Sequence, residues 1–138
     1  MTDLQAAAEQ ALGMGCRDLP LWGCTGGRLD HTASNLVLLE WIAGRGGRPL
    51  MVDEDNEVRF LEGPVELRLA NRPPYRYLSL IPLDRTLTGV TLRGLKYPLT
   101  DARLTRGDGL SVSNERQGWE MTVSLASGRA LLIRSQRN

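Results

Sequence analysis

Trp22-Gly23-Cys24-Thr25-Gly26-Gly27-Arg28-Leu29-Asp30-His31-Thr32-Ala33-Ser34-Asn35 has the pattern of a strand end, a glycine turn and a helix start. Leu19, Leu21 and Trp22 form the strand-like run before the turn. Gly26 and Gly27 reach backbone angles that a Cβ forbids, and they let another group approach the main chain. Asp30 is placed to cap a helix that continues through Leu36, Val37, Leu39 and Ile42. A glycine turn feeding a helix N-terminus offers free N–H groups and a favourable dipole to an anion. Arg28 adds donors suited to phosphate. The same residues also suit a plain strand–helix connection with a surface arginine, and spacing alone does not separate the two.

Upstream of this stretch, residues 2–15 read as a helix, with Leu4, Ala8, Ala11 and Leu12 on one face and Thr2 with Gln5 forming a capping box. Asp3 in its first turn complements the dipole. Residues 18–23 form a short strand, with Pro20 marking its start or an edge. One strand between two helices makes only part of a parallel α/β layer, and such a sheet needs more strands than these elements supply. From Pro49 onward short strands alternate with turns. Residues 49–52 and 57–61 flank Asp53-Glu54-Asp55-Asn56, which lacks the glycine and downstream glutamate of a calcium loop and reads as a solvated hairpin turn. Residues 65–69 alternate cleanly, residues 71–74 break the chain, and further strands are expected at 77–83, 87–95, 110–113, 120–125 and 130–133. The expected fold class is α+β: a partial, Rossmann-like α/β segment over 1–47, then an all-β sandwich over 48–138.

The chain has 138 residues, with 17 Lys plus Arg against 16 Asp plus Glu. Near-balanced charge argues against a general nucleic-acid or membrane-surface binder. Lys96 is the only lysine. Cys16 and Cys24 have no metal-ligand spacing and are expected to be buried, reduced thiols. The N-terminus has no basic-then-apolar signal segment, and no apolar run approaches a membrane span, so a cytoplasmic protein without a membrane partner is expected. His31 is the only histidine and stands in a first helical turn, where a proton is disfavoured; it is not assigned as a general base. Tyr97, at a strand end, suits either a core ring with a wet hydroxyl or an aromatic face for a cation. Ser113 and Asn114 suit either an ordinary turn or hydrogen bonds to a ring nitrogen or amino group.

The run from Thr25 to Asn35 resembles the Gly-Gly-Arg-x-Asp-His-x-x-x-Asn signature of thiamine pyrophosphokinases. Ser79-Leu80-Ile81-Pro82-Leu83, then Val90-Thr91-Leu92-Arg93-Gly94-Leu95-Lys96-Tyr97-Pro98-Leu99, then Ser113-Asn114-Glu115, is similar to that family's C-terminal β-domain. The resemblance extends from Thr2 to Ser135. It implies transfer of a pyrophosphoryl group from ATP to the hydroxyl of thiamine, giving thiamine diphosphate and AMP, with Mg2+ on the nucleotide. It implies catalytic roles for Asp3, Arg28 and Asp30, with Asp3 on the metal. Nucleotide contacts fall to Thr2, Gly26, Gly27 and Arg28, and substrate contacts to Asn35, Thr91, Lys96, Tyr97, Ser113 and Asn114. It also implies a homodimer with each thiamine site shared between one subunit's α/β domain and the other's sandwich.

The family's Gly-Asp-x-Asp-Ser segment has no counterpart here; Gly107-Asp108-Gly109-Leu110-Ser111 lies in the wrong domain and lacks the second aspartate. The resemblance therefore implies a kinase without the front of its nucleotide domain, with little activity by itself. Such a chain is the expressed C-terminal part of an enzyme, a short natural version of one, or a binding protein that has dropped catalysis. The alternative from another class is a non-catalytic β-sandwich module that binds a ligand or a partner protein.

Overall fold

The computed structural model describes residues 2–23, 27–71 and 75–136. These contain two α-helices, ten β-strands and one 3-10 turn, an α+β fold. The chain divides into two compact units, Met1–Phe60 and Leu61–Asn138.

In the first unit, helix α1 (Asp3–Gly13) starts where Thr2 Oγ1 accepts the Gln5 N–H at 3.1 Å, the N-cap bond that the sequence pattern implied. Strand β1 (Asp18–Trp22) alternates exposed and buried residues, with Leu19 and Leu21 turned inward. Helix α2 (Leu29–Gly44) buries Leu38, Leu39 and Ile42. It leads into β2 (Arg48–Val52), which pairs in parallel with β1 from Asp18↔Arg48 to Trp22↔Val52. Residues 18–52 are therefore a βαβ crossover, and β2 groups with the helices rather than with the later strands. The sequence has no local mark for this, because a parallel partner is chosen across an intervening helix. Pro20 fits β1 because β1 is the end strand of its sheet and leaves one side without a strand partner. Strand β3 (Asn56–Glu62) returns antiparallel to β2. The expected turn joins them: Asp53 Oδ1 accepts the N–H groups of Asp55 and Asn56 at 2.8 and 2.7 Å, an Asx turn.

Two expectations for this unit are corrected. Asp30 lies inside the first turn of α2, not at its N-cap, which is Arg28 and makes no side-chain capping bond. Cys16 is exposed and free, because it follows the end of α1, where its N–H reaches back to the Ala11 carbonyl. Cys24 lies outside the described residues.

The second unit is a sandwich. One layer carries β5 (Tyr77–Pro82) between β10 (Arg129–Ser135) and the two-residue β8 (Asn114–Glu115), all antiparallel. The other has the order β4 (Val65–Ala70), β9 (Glu120–Leu125), β6 (Thr86–Arg93) and β7 (Leu99–Thr105). Leu78, Leu80, Ala130 and Leu132 from the first layer share one core with Leu87, Val90, Leu92, Leu104, Met121, Val123 and Leu125 from the second. Period-two burial on both facing layers builds that core.

Strand β7 has no counterpart among the expected strands. Its register against β6 shifts twice, since Leu87↔Leu104, Val90↔Ala102 and Leu92↔Leu99 are not evenly spaced. On β7 the extra residue falls around Asp101, which has a positive φ of 47° and donates its N–H to Thr91 Oγ1 at 3.2 Å. The bulge moves the inward set from Leu99 to Ala102 and Leu104, so no simple alternation survives. The expected strand at 110–113 is instead a 3-10 turn (Gly109–Ser111), capped by Asp108 accepting the Leu110 N–H at 3.0 Å.

Asp84 and Arg129 fasten the β5–β6 turn to the start of β10. Arg129 Nη2 is 2.5 Å from Asp84 Oδ1, and the Arg129 N–H donates to Oδ2 at 2.8 Å. The Arg129 side-chain hydrogen bonds, above all, hold the Asp84 carboxyl below its usual 3.8, with smaller contributions from the charges of Arg129 and Arg106. A carboxylate with a depressed folded-state pKa contributes stability above its unfolded value and loses it as pH falls through the folded one. Asp84→Asn is therefore expected to lower the thermal midpoint at neutral pH, with the gap from wild type closing as pH drops below 3.8. Thermal melts of both proteins across that range check this, and a gap that stays constant into strong acid contradicts it.

Candidate functional site

The glycine turn is described only in part: Gly26 lies outside the described residues, with Cys24 and Thr25. Gly27 adopts a φ of +66°, a conformation suited to glycine. Arg28 follows as the N-cap of α2 and reaches Asp30, with Nη2 2.6 Å from Oδ2. Asp30 Oδ1 also accepts the His31 N–H at 2.9 Å. The Arg28 and Asp30 side chains are 72% and 61% exposed. An exposed pair of this kind holds together weakly, so an incoming anion can take the guanidinium from it.

Thr2 caps α1, and Asp3 is exposed in the first turn. A groove of about 320 Å³ between the two helices is lined by Thr2, Gln5, Ser34, Val37, Leu38 and Trp41. Asn35 is half-buried on α2. Among the described residues no three His, Cys, Asp or Glu side chains gather closely enough to hold a metal ion.

The second unit brings several of the remaining candidates together. Tyr97 lies on the connection from β6 to β7 and is 59% exposed. It is not the core ring that its apolar neighbours allow. Its backbone is held by Asn114, which is 4% exposed. Asn114 Oδ1 accepts the Tyr97 N–H at 3.0 Å, and Asn114 Nδ2 donates to the Tyr97 carbonyl at 2.8 Å. The same Oδ1 accepts the Glu115 N–H at 3.0 Å. One side-chain amide thus serves both backbone groups of Tyr97, as a neighbouring strand would. The Lys96 N–H donates to the Glu115 carbonyl at 2.9 Å, and Lys96 Nζ lies 5.4 Å from the Tyr97 ring centroid. Ser113 is exposed, has a positive φ of 58°, and donates its N–H to Ser79 Oγ at 2.9 Å. Its backbone is held in a left-handed conformation that costs a non-glycine residue strain. Thr91 is half-buried, and its hydroxyl accepts the Asp101 N–H that holds the β7 bulge.

Two residues missed in the sequence join this group. Trp119, between β8 and β9, is 92% exposed, the most exposed large hydrophobic side chain among the described residues. Asn71, after β4, is buried at 8% exposure. Its Nδ2 donates to the Gly94 carbonyl at 2.7 Å and the Gln117 carbonyl at 3.0 Å, and its own N–H donates to the Trp119 carbonyl at 2.8 Å. Gly94, at φ +74°, lies so close to Glu120 that a Cβ would collide with the Glu120 carbonyl oxygen. A tryptophan following a Gln-Gly pair is the one available sequence signal for Trp119; Asn71 has none. Beside these loops Arg76, Glu115, Arg116, Gln117 and Gly118 line an open polar cleft of about 350 Å³.

An exposed tyrosine and an exposed tryptophan thus stand on connections held by buried amides on a β-sandwich. Residues 65–129 match the family described as thiamin pyrophosphokinase, vitamin B1 binding domain. The chain is 34% identical over 134 residues to the thiamine pyrophosphokinase of Bacillus subtilis strain 168, covering 97% of this chain and 62% of that protein. The crystal structure of thiamine pyrophosphokinase from B. subtilis superimposes with a TM-score of 0.93 at 32% identity, covering 100% of this chain and 64% of that one. The thiamin pyrophosphokinase of Geobacillus thermodenitrificans gives 0.88 at 36% identity, covering 99% and 62%. Over these spans the chain is similar to thiamine pyrophosphokinases, and the family match lies in its second unit. The chain spans somewhat under two thirds of the length of these relatives.

The Asn114 clamp makes a direct expectation. Asn114→Ala leaves the Tyr97 N–H and carbonyl without these partners, which costs about 2–4 kcal/mol if solvent does not replace them. Urea unfolding should show that loss together with local broadening of the Tyr97 amide resonance. A variant as stable as wild type would mean that water substitutes fully for the amide.

Proposed function

We propose that this chain supplies the thiamine-binding part of a thiamine pyrophosphokinase, which transfers a pyrophosphoryl group from ATP to thiamine and releases AMP. The observation that carries the reading is the fixed, exposed Tyr97 inside the stretch that matches the vitamin B1 binding domain. Thiamine presents a thiazolium cation and an aminopyrimidine ring. Tyr97 and Trp119 offer π faces for both, by stacking and by cation–π attraction of about 0.5–2 kcal/mol. Ser113 offers a hydroxyl to a ring nitrogen or amino group. Asn114 and Thr91 act through the backbone they hold, while Lys96 lies beside the Tyr97 ring.

The nucleotide end is assigned to segment 1–47, and thiamine binding to the strands of segment 48–138. Arg28 would meet nucleotide phosphate at the start of α2, where Gly26, Gly27 and the helix dipole favour an anion. Asp30, paired with Arg28, would orient that guanidinium, with Asn35 one turn further along α2 as a substrate contact. Thr2 would hold the start of α1 and Asp3 its first turn. The described residues do not form a magnesium site by themselves; Asp3 fits only as one carboxylate ligand to a metal already carried on nucleotide phosphates. Pyrophosphoryl transfer depends on positioning and charge neutralisation more than on a protein nucleophile. A homodimer that joins one subunit's nucleotide end to the other's sandwich, working in the cytoplasm, completes the proposal. Among the described residues no helix is long and apolar enough to cross a membrane.

Calorimetry on the 138-residue chain tests this. Thiamine should bind weakly and magnesium–ATP hardly at all. Tyr97→Ala and Trp119→Ala should each weaken thiamine binding by roughly 3–30-fold, the range that the cation–π energy allows. Thiamine-dependent AMP release should stay far below an enzyme-like rate. A chain that ignores thiamine would favour the non-catalytic partner-binding alternative, and rapid AMP release would show that segment 1–47 suffices for the nucleotide.

A further inference from the structure

Tyr97 and Trp119 stand on different connections, from β6 to β7 and from β8 to β9, which a single antiparallel bridge, Leu95↔Arg116, joins short of either aromatic residue. Asn71 bridges those connections. One side-chain nitrogen donates to the Gly94 carbonyl, three residues before Tyr97, and to the Gln117 carbonyl, two residues before Trp119. Its backbone N–H donates to the Trp119 carbonyl. The Gln117 N–H donates in turn to the Gly94 carbonyl at 2.9 Å, closing a small ring of hydrogen bonds. The side chain is buried, so water replaces these bonds poorly. Gly94 has no Cβ and rests directly on the Glu120 backbone, so the two connections have no slack at this point.

We propose that Asn71 is a positioning residue that sets the spacing of the Tyr97 and Trp119 faces, and with it the thickness and orientation of the ring that fits against them. Its part in ligand selection rests on the thiamine-binding reading; its part in holding the loops does not. Asn71 touches no ligand in this role. It acts through the two carbonyls that it holds.

The test uses Asn71→Asp, which keeps the shape, removes both N–H donors and sets a carboxylate oxygen against the two carbonyls. Asn71→Ala, which removes the donors without adding charge, is read the same way if the aspartate variant does not fold. Asp84→Asn is the control, because Asp84 precedes β6 whereas Gly94 follows it, and its ion pair with Arg129 touches neither connection. Hydrogen exchange followed by NMR should show the Gln117 and Lys96 amides exchanging about tenfold faster or more in the Asn71 variant. The amides of β5 and β10 should change only as far as global stability changes. Thiamine affinity should fall by about tenfold in the Asn71 variant and stay at the wild-type value in the control, although both are less stable. Unchanged Gln117 exchange overturns the proposal, as does wild-type thiamine affinity in a folded Asn71 variant. A wild-type chain that binds no thiamine overturns the binding reading alone, and the exchange result still decides whether Asn71 holds the two connections.

Discussion

A buried side-chain amide that stands in for a missing strand is the constraint on which the second unit turns. β8 has only two residues, and the pairing at its end with the backbone after Gly94 stops at the Leu95↔Arg116 bridge and the Lys96 N–H, short of Tyr97. Without a partner, the Tyr97 N–H and carbonyl would each carry a desolvation cost of about 1–3 kcal/mol wherever water is kept out. Asn114 supplies an acceptor and a donor from one rigid plane and meets both. The backbone of Tyr97 is then fixed while its ring remains in solvent. Packing a ring into the core would also fix it, but would remove it from any ligand. The amide separates the two demands.

The four-stranded layer answers a related problem of register. β6 and β7 are offset by one irregularity near Gly89 and another near Asp101, so the inward sets of both strands meet again at their ends. A Cβ on Gly89 would collide with the Ala126 side chain, and that position needs glycine for space as well as for its φ of +60°. Thr91 holds the second irregularity through its hydroxyl. The resemblance assigns Thr91 to the substrate patch, and the geometry gives it a task in the sheet. The two are compatible, because a hydroxyl that accepts one N–H keeps its own proton to donate.

What could be read from the chain was what local chemistry writes. The Thr2 cap, the Asx turn at Asp53 and the alternation of residues 65–69 each depend on neighbours a few positions away, and each is present. The parallel pairing of β1 with β2 depends on residues some thirty positions apart and left no local mark. β7 was hidden because the bulge at Asp101 breaks the period of two that identifies a strand. The 3-10 turn was hidden because Leu110 and Val112 mimic an alternating strand, yet both are exposed. For the candidate site, the resemblance pointed to Tyr97, Ser113 and Asn114, but the hydrogen bonds that Asn114 makes to the Tyr97 backbone had no mark in the sequence. An asparagine reads as a turn former or a ligand donor until its burial is known. Trp119 and Asn71 have the reverse problem: exposure marks one, burial marks the other, and neither property is written in the residue.

Lys96 sharpens what the Tyr97 surface can select. Its ammonium lies 5.4 Å from the ring centroid, within the range at which a cation is attracted to an aromatic face. A thiazolium approaching that ring meets a face already polarised by a like charge. At an exposed site the repulsion is screened over about 8 Å at physiological ionic strength, and the lysine stem is flexible enough to swing away. The neutral aminopyrimidine pays no such electrostatic penalty. On the thiamine-binding reading, the charge arrangement therefore favours the pyrimidine over Tyr97 and leaves the cation for the Trp119 face, which has no cation stacked on it among the described residues. The ligand would be oriented by what each aromatic has beside it rather than by the aromatics alone. That is why the spacing between the two connections matters as much as the identity of the rings.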